Sequence, residues 1–214
     1  ACCSCCVVAE SAAAGVLRNA FSVDVEDWFQ VAAYADYLPR RAWDRLPCRI
    51  EANLDRLLGL LDGHGVKATF FTLGWIARRY PSLVRRIVAD GHELASHGYG
   101  HARVDGQTPA AFAADLARAR ATLEDAAGVR VLGYRAPTFS VPVDRRWFYD
   151  ALAAAGHRYS SSIAPVRHDR YGATDAPRHP FRDASGVLEI PVSTVRLAGR
   201  NFPCAGGGFF RLYP

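Results

Sequence analysis

The sequence has no methionine, a single lysine (Lys67), and no apolar run of the roughly 18 residues that a membrane-spanning helix needs. The lack of Met indicates a segment of a longer protein, and no membrane span is expected. The net charge of +5 comes almost entirely from arginines, which are scattered and form no basic run. We therefore expect no nucleic-acid binding. No basic stretch precedes an apolar core as in a secretory signal, which leaves a cytoplasmic or an envelope-associated location open.

Cysteines are also scarce outside the amino terminus, so no disulfide framework is expected. Four of the six crowd into the first six positions: Cys2, Cys3, Cys5 and Cys6. A zinc site is one interpretation of this cluster, but structural zinc sites usually add a second, distant ligand pair. Only Cys48 and Cys204 occur elsewhere. We therefore interpret residues 1–18 as a disordered or spurious leader, followed by one domain over residues 19–214.

Apolar patterns of strand type and of helix type alternate along that domain. The predicted strands cover residues 20–25, 67–73, 93–95, 131–135, 159–163 and 187–192, and the predicted helices cover 50–61, 81–90, 109–123 and 144–155. This alternation indicates an α/β fold with a parallel sheet, either a barrel or an open doubly wound sheet. No GxGxxG follows the first strand, and polar residues stand at several strand ends, so the barrel is favoured.

Three carboxylates, Asp24, Glu26 and Asp27, end the first predicted strand. Like charges this close are costly unless a cation or an arginine offsets them. A solvated loop or a helix N-cap is the alternative interpretation. The location of the three carboxylates at a strand end favours a functional role, because active sites of parallel barrels are built at the carboxyl ends of their strands.

Two histidines, His97 and His101, follow the third predicted strand at a spacing of four. That spacing puts both rings on one side of a helical turn, where they can share a metal ion. A carboxylate with two histidines leaves a coordination position open, which is typical of catalytic zinc. Arg135, at the end of the fourth strand, could pair with a catalytic base. The set predicts metal-assisted hydrolysis of an amide or an ester.

Several segments are together similar to the polysaccharide deacetylases, carbohydrate esterase family 4. Residues 23–28, 96–101 and 134–137 resemble the first three motifs of that family, and residues 161–163, 167–172 and 206–212 resemble its branch associated with exosortase and exopolysaccharide loci. The resemblance extends over residues 20–214. It implies a distorted, incomplete (β/α) barrel that removes N-acetyl or O-acetyl groups from a bacterial exopolysaccharide.

The resemblance also implies roles for individual residues. Asp24 would be the base, paired with Arg135. His97 and His101 would bind a divalent ion, zinc first, with cobalt or nickel as alternatives. The third ligand is either Glu26 or Asp27; a strand period of two puts Glu26 on the face of Asp24. Ser160 departs from the branch, where an aspartate is more usual.

The family's general acid is a histidine on a final strand, beyond the glycine-rich stretch that starts at Gly206. Since the sequence ends at Pro214, we expect this histidine and its strand to lie outside it, and the 214-residue chain to bind metal but to deacetylate poorly. Two alternatives to a deacetylase stay open. One is an amidase of the same fold acting on a small cyclic amide, and the other is a non-catalytic carbohydrate-binding remnant. The sequence predicts neither the oligomeric state nor the sugar-binding residues.

Overall fold

A parallel sheet forms the centre of the molecule, which a computed structural model describes for residues 2–7 and 19–205. The sheet has eight strands in the order β1-β2-β3-β4-β5-β6-β8-β7, and β9 and β10 form a separate hairpin. The strands are Cys2–Val7 (β1), Asn19–Val25 (β2), Ala68–Thr72 (β3), Glu93–Ser96 (β4), Gly133–Tyr134 (β5), Tyr159–Ser160 (β6), Phe181–Arg182 (β7), Leu188–Glu189 (β8), Thr194–Leu197 (β9) and Arg200–Pro203 (β10). From β2 to β6, and on to β8, neighbouring strands are parallel. The predicted α/β class is confirmed.

Five helices connect these strands. They are Ile50–Gly63 (α1), Gly74–Arg79 (α2), Pro81–Ala89 (α3), Pro109–Ala127 (α4) and Arg146–Ala154 (α5). On α1 the buried residues recur at helical spacing, as predicted: Ile50, Leu54, Leu58 and Leu61. The predicted start of α4 is confirmed, since the Thr108 hydroxyl accepts a hydrogen bond from the Ala111 N–H. Gly128 ends α4 at a φ of 69°, a left-handed conformation that suits glycine.

The β2 strand lies in the core, and both of its faces are covered. Val23 and Val25 are fully buried, and Val23 lies opposite Phe70 of β3 in the parallel register. Side chains of α1 and α2 pack against the same cluster, which includes Leu54 and Ile76. Because a parallel sheet is covered on both sides, its strands carry polar groups mainly at their ends. That arrangement places the polar residues after β2, β4 and β5 at one edge of the sheet.

Several boundaries differ from the predicted ones. The strands β5, β6 and β8 have only two residues each, against five to six predicted, because Pro137 and the loop after Ser161 leave the ladder early. Helix α2 was predicted as neither helix nor strand, and short 3₁₀ turns occupy much of residues 28–45. Helix α5 begins at Arg146, two residues after the predicted start at Asp144, and the Asp144 carboxylate accepts from the Arg146 N–H.

The segment interpreted as a leader is described in part. Residues 2–7 form β1, paired antiparallel with β2, so these six residues have a regular structure where none was expected. The rest of that segment, and the glycine-rich stretch from Gly206, lie outside the described residues. The domain boundary after residue 18 therefore stays a prediction. Within the part of the chain that is described, no helix has both the length and the apolar character to cross a membrane.

Candidate metal centre

The candidate site lies where three parallel strands end at the same edge. Asp24 is the penultimate residue of β2, and Glu26 directly follows that strand. His97 follows β4 and Arg135 follows β5. Two backbone hydrogen bonds extend the ladder one residue past the strands: the His97 N–H donates to the Thr72 carbonyl, and the Arg135 N–H donates to the Ser96 carbonyl. The sheet itself therefore fixes the backbone of both residues.

Glu26, His97 and His101 converge. One donor atom from each lies within 4.8 Å of the other two. The closest approach is between His101 Nε2 and Glu26 Oε2, at 2.8 Å, and the two imidazole centroids are 5.3 Å apart. Despite that contact, the buried Oε2 has no aligned hydrogen-bond donor among the described residues. A buried carboxylate oxygen without a donor is costly. The residues present therefore fit a cation, which would satisfy this oxygen.

The histidine pair sits on a loop and not on a helical turn, so the predicted local structure was wrong. Gly98 has a φ of 75° and His101 a φ of 53°, which reverse the chain and bring the second ring back to the first. The start of α2 holds this loop, because the Gly74 and Trp75 N–H groups donate to the carbonyls of Gly98 and Tyr99. The two rings, four residues apart in the sequence, are therefore brought together by a reversal of the loop and not by a helical turn.

The orientation of His97 is set by its second nitrogen. Nδ1 lies 2.9 Å from the Arg135 carbonyl oxygen, which can only accept, so Nδ1 carries the proton and Nε2 keeps its lone pair. Burial lowers the pKa of His97, although the charge of Asp24 opposes this. For Glu26, burial acts to raise the pKa, but contact with His101 and the charge of His97 outweigh it and the pKa is lowered. A neutral imidazole beside an ionised carboxylate is the form that binds metal.

Asp24 lies beside this triplet and pairs with Arg135. Arg135 Nη1 donates to Asp24 Oδ1 at 2.8 Å, and the arginine side chain has no exposed surface. Its Nε donates to the Ser161 carbonyl at 2.9 Å and its Nη2 to the Ser161 hydroxyl at 2.8 Å. The guanidinium also lies over the Phe71 ring, 4.0 Å from its centroid. A buried charge held on several sides has one orientation available to it.

Asp27 is not brought to the triplet. Its carboxylate accepts from the backbone N–H groups of Trp28 and Arg49, and its own N–H donates to the Gln30 side chain. This is a capping box at the start of a 3₁₀ turn. The N-cap alternative considered for the carboxylate cluster therefore applies to Asp27, while Glu26 is the carboxylate that reaches the histidines.

Two supporting residues were missed in the sequence. Ser161 holds Arg135 as described, and Glu189 of β8 holds the segment that carries Ser161. Glu189 is fully buried; its Oε1 accepts from the Ser162 N–H at 2.8 Å and the Ile163 N–H at 2.9 Å, and its Oε2 accepts from the Tyr149 hydroxyl at 3.1 Å. A signal existed for Glu189, since a glutamate between Leu188 and Ile190 in an apolar strand needs buried partners.

A cavity of about 530 Å³ adjoins the triplet on the side of His101. Its lining includes the buried rings of Phe29 and Trp43 and the side chain of Arg40. Aromatic walls with a few polar groups are typical of small-ligand sites. The triplet therefore borders a space that a ligand could enter.

These features define an α/β protein of the distorted-barrel type with a candidate metal centre at the carboxyl ends of its strands. The family profile described as polysaccharide deacetylase matches residues 42–159, more than half of the sequence, and a profile described as a domain of unknown function (DUF3473) matches residues 161–214. The chain belongs to the polysaccharide deacetylase family, carbohydrate esterase family 4. The predicted family is thus confirmed.

Individual relatives agree with this assignment. A crystal structure from Mycobacterium smegmatis, described as a polysaccharide deacetylase, is 32% identical with a TM-score of 0.63 and covers 81% of this chain and 58% of its own. The peptidoglycan-N-acetylglucosamine deacetylase of Bacillus cereus is 46% identical over 46 residues, 22% of this chain and 17% of the relative. The chitooligosaccharide deacetylase of Sinorhizobium fredii is 49% identical over 45 residues, 21% of each. The chain thus spans less than two thirds of the length of each of these proteins.

Proposed function

We propose that the chain is a metal-dependent hydrolase that removes N-acetyl, or O-acetyl, groups from a bacterial exopolysaccharide. The observation that carries the proposal is the convergence of Glu26, His97 and His101 on one point beside the Asp24–Arg135 pair. Similarity to deacetylases of peptidoglycan and of chitooligosaccharides supports an N-acetylated glycan as substrate. We assign this activity to residues 19–214 as one catalytic domain.

Two imidazole nitrogens and one carboxylate oxygen are ligands that suit zinc, and also cobalt or nickel. Glu26, His97 and His101 would hold the ion, and Asp27 would not, because backbone N–H groups already occupy its carboxylate. When bound, such an ion supplies Lewis acidity that activates water and polarises the carbonyl of an acyl group.

Asp24 is assigned as the general base, with Arg135 as its positioning residue. The ion pair from Nη1 to Oδ1 orients the carboxylate and offsets its charge in a buried place. His97 is in turn oriented by the Arg135 carbonyl oxygen, so one residue aligns both the base and a ligand. Amide hydrolysis also requires a proton for the leaving amine. The family resemblance implies a histidine on a final strand for that role.

Metal content is the first test. After loading with zinc or cobalt and gel filtration, the chain should retain about one ion, as expected for a three-ligand site. His97→Ala and Glu26→Gln should retain none. Asp27→Asn, a buried carboxylate one position away, should still load fully. Loading of His97→Ala, or loss of metal in Asp27→Asn but not in Glu26→Gln, would contradict the assignment.

Acetate release is the second test. It is measured on N-acetylated and O-acetylated oligosaccharides, with the 214-residue chain and with a form extended by about 50–70 residues, a length within normal domain size. We expect release by the extended form that chelation abolishes and metal restores. Metal retention without acetate release by either form would favour the carbohydrate-binding remnant, and hydrolysis of a cyclic amide alone would favour the amidase.

A further inference from the structure

Four arginines that are scattered in the sequence lie together along one groove. Arg167, Arg178, Arg196 and Arg200 line a cavity of about 830 Å³ between the loop after β6 and the β9–β10 hairpin. The lining also contains His179, and no described residue in it is an aspartate or a glutamate. A groove with several guanidinium groups and no carboxylate attracts anions.

No carboxylate of the described residues neutralises the charges of these arginines. Among the described residues, none of the four forms an ion pair. Some other arginines pair with carboxylates, as Arg79 does with Asp44 and Arg145 with Asp175, but other described arginines outside the groove form no ion pair either. Surface charges are usually interspersed with their opposites. What distinguishes the groove is that four arginines lie together in one lining without a carboxylate, so their positive charges add up at one place.

Hydrogen bonds hold the walls of the groove in place. Arg178 Nε donates to the Thr194 hydroxyl at 3.0 Å and its Nη2 to the Thr194 carbonyl, which fixes the guanidinium against the hairpin. The Asn201 side-chain amide donates to the Pro165 carbonyl at 2.8 Å and ties the hairpin to the opposite wall. Phe202 also lines the groove and is 45% exposed, so an aromatic face is available beside the guanidinium groups. Sugar rings pack on such apolar faces, while arginine binds carboxylates and phosphates bidentately.

The groove wall is close in the chain to the segment that supports the candidate metal centre. Its wall starts at Pro165, four residues after Ser161, and Ser161 holds the buried Arg135. Four residues of extended chain span at most about 14 Å. Phe139 connects the two places, since its ring lies 5.6 Å from the Arg135 guanidinium and 5.5 Å from the Tyr171 ring of the same loop. The loop that forms one wall of the groove thus packs against residues that support the candidate metal centre.

We infer that this arginine groove binds anionic groups of the polysaccharide, so that the substrate is an acidic glycan. Carboxylates of uronic acids and phosphate or sulfate esters share the required chemistry. The inference rests on the proposed function, because it names the substrate class of the same site. It assigns substrate recognition to the region of residues 161–214 that matches a domain of unknown function.

The test measures the binding of short oligosaccharides by calorimetry. The probes are oligogalacturonate, a neutral galactose oligomer of equal length, a phosphorylated oligomer, and a single-stranded oligonucleotide of equal charge. The variant is Arg196→Gln with Arg200→Gln; both side chains are exposed and hold no structural partner among the described residues. The matched control, Arg56→Gln with Arg78→Gln, removes the same charge from exposed positions of α1 and α2.

We expect the acidic oligomer to bind more tightly than the neutral one, and added salt to weaken binding. The groove variant should raise the dissociation constant of the acidic oligomer about tenfold, as for the loss of charge-assisted hydrogen bonds, and the control should leave it unchanged. Carboxylated and phosphorylated probes distinguish the two sources of charge. Equal binding of acidic and neutral oligomers, an unaffected groove variant, or equally tight binding of the oligonucleotide would overturn the inference.

The two proposals fail separately. His97→Ala should lose metal and bind the acidic oligomer as wild type does, whereas the groove variant should bind the oligomer about tenfold more weakly and keep its metal. Metal retained by His97→Ala would contradict the proposed function, and unchanged binding of the acidic oligomer by the groove variant would contradict the arginine groove.

Discussion

The two parts of the sheet are stabilised in different ways. In the first part, β2, β3 and β4 have seven, five and four residues and pair in a continuous parallel register over a large apolar core. In the second part, β6 and β8 have two residues each, and the apolar clusters beyond them have few buried members, such as Ala164 and Val192 in one of them. Buried side chains that bind backbone groups, such as Glu189, replace the missing ladder.

This difference follows the boundary between the two family profiles, which lies between residues 159 and 161. A regular ladder places backbone atoms reproducibly, and the candidate metal ligands all come from that part. Loops held by side chains tolerate sequence change more easily, and the arginine groove lies there. The comparison predicts that chemistry depends on the first part and that the second part supplies support and recognition.

The largest effect should come from Asp24 in the first part. Asp24→Asn should lower the turnover number of the extended form about 10²–10⁴-fold, because a general base is lost, while metal content stays at the wild-type value. Asp27→Asn is the matched control and should keep wild-type turnover, since Asp27 caps a 3₁₀ turn. Acetate release at saturating substrate measures both. Equal losses in the two variants would show that these carboxylates are not separated into catalytic and structural roles.

Glu189 tests whether the second part supports the first. Glu189→Ala leaves two backbone N–H groups and the Tyr149 hydroxyl without their buried acceptor, and should lower the free energy of unfolding by about 4 kcal/mol. Since these N–H groups adjoin Ser161, turnover should fall as well. Glu189→Gln keeps an acceptor for them and should recover most of both losses. Urea unfolding and acetate release are the measurements. If Glu189→Ala is destabilised but keeps full turnover, the second part of the sheet does not support the catalytic residues of the first.

His157, at the entrance to β6, should make the second part sensitive to acid. Burial, with a smaller contribution from the charge of Arg120, lowers the pKa of this imidazole to about 4. Because the folded pKa is below the unfolded one, the unfolded state takes up the proton first as the pH falls. Stability is therefore complete above about pH 6.5 and decreases towards pH 4, by about 3 kcal/mol from this group.

The matching variant is His157→Phe. Both ring nitrogens of His157 lack a hydrogen-bond partner among the described residues, and the ring lies 5.7 Å from that of Tyr134, so a phenyl ring loses no hydrogen bond. Urea unfolding should give similar stability to wild type at pH 7.5 and higher stability at pH 5. An unchanged difference between the two pH values would exclude His157 as the cause.

The sequence predicted the first part of the sheet better than the second for a physical reason. Long strands such as β2 carry an alternation that is visible in isolation, whereas a two-residue strand such as β6 is defined only by its neighbours. Helix α2 carried no usable cap signal; its N-cap, Leu73, makes no side-chain hydrogen bond. The four arginines of the groove are spread between residues 167 and 200, so their proximity depended on the fold of the hairpin.

At the candidate site, the residue types and their positions at strand ends could be predicted, but the contacts that each residue makes could not. Glu26 and Asp27 are adjacent acids, and they are distinguished only in the fold, where the Trp28 and Arg49 N–H groups bind Asp27 while Glu26 reaches His101. The rings of His97 and His101 lie close together, as their spacing predicted, but on a loop and not on the predicted helical turn; their role as metal ligands stays a prediction. Ser161 was noted in the sequence only for its similarity to a family branch. Its contact with Arg135 arises because β6, which precedes Ser161, lies beside β5, which precedes Arg135.

The Asp24–Arg135 ion pair has a consequence for the order in which the chain folds. The two residues are 111 positions apart in the chain, so they meet only after β3, β4 and β5 have joined β2. Contacts of such separation form late, because the loop-closure entropy must be overcome first. Neither charge can be buried alone at acceptable cost, so both stay hydrated until they meet. Refolding should therefore show the buried pair forming in the final, slowest step, after the helices have reached their native circular dichroism.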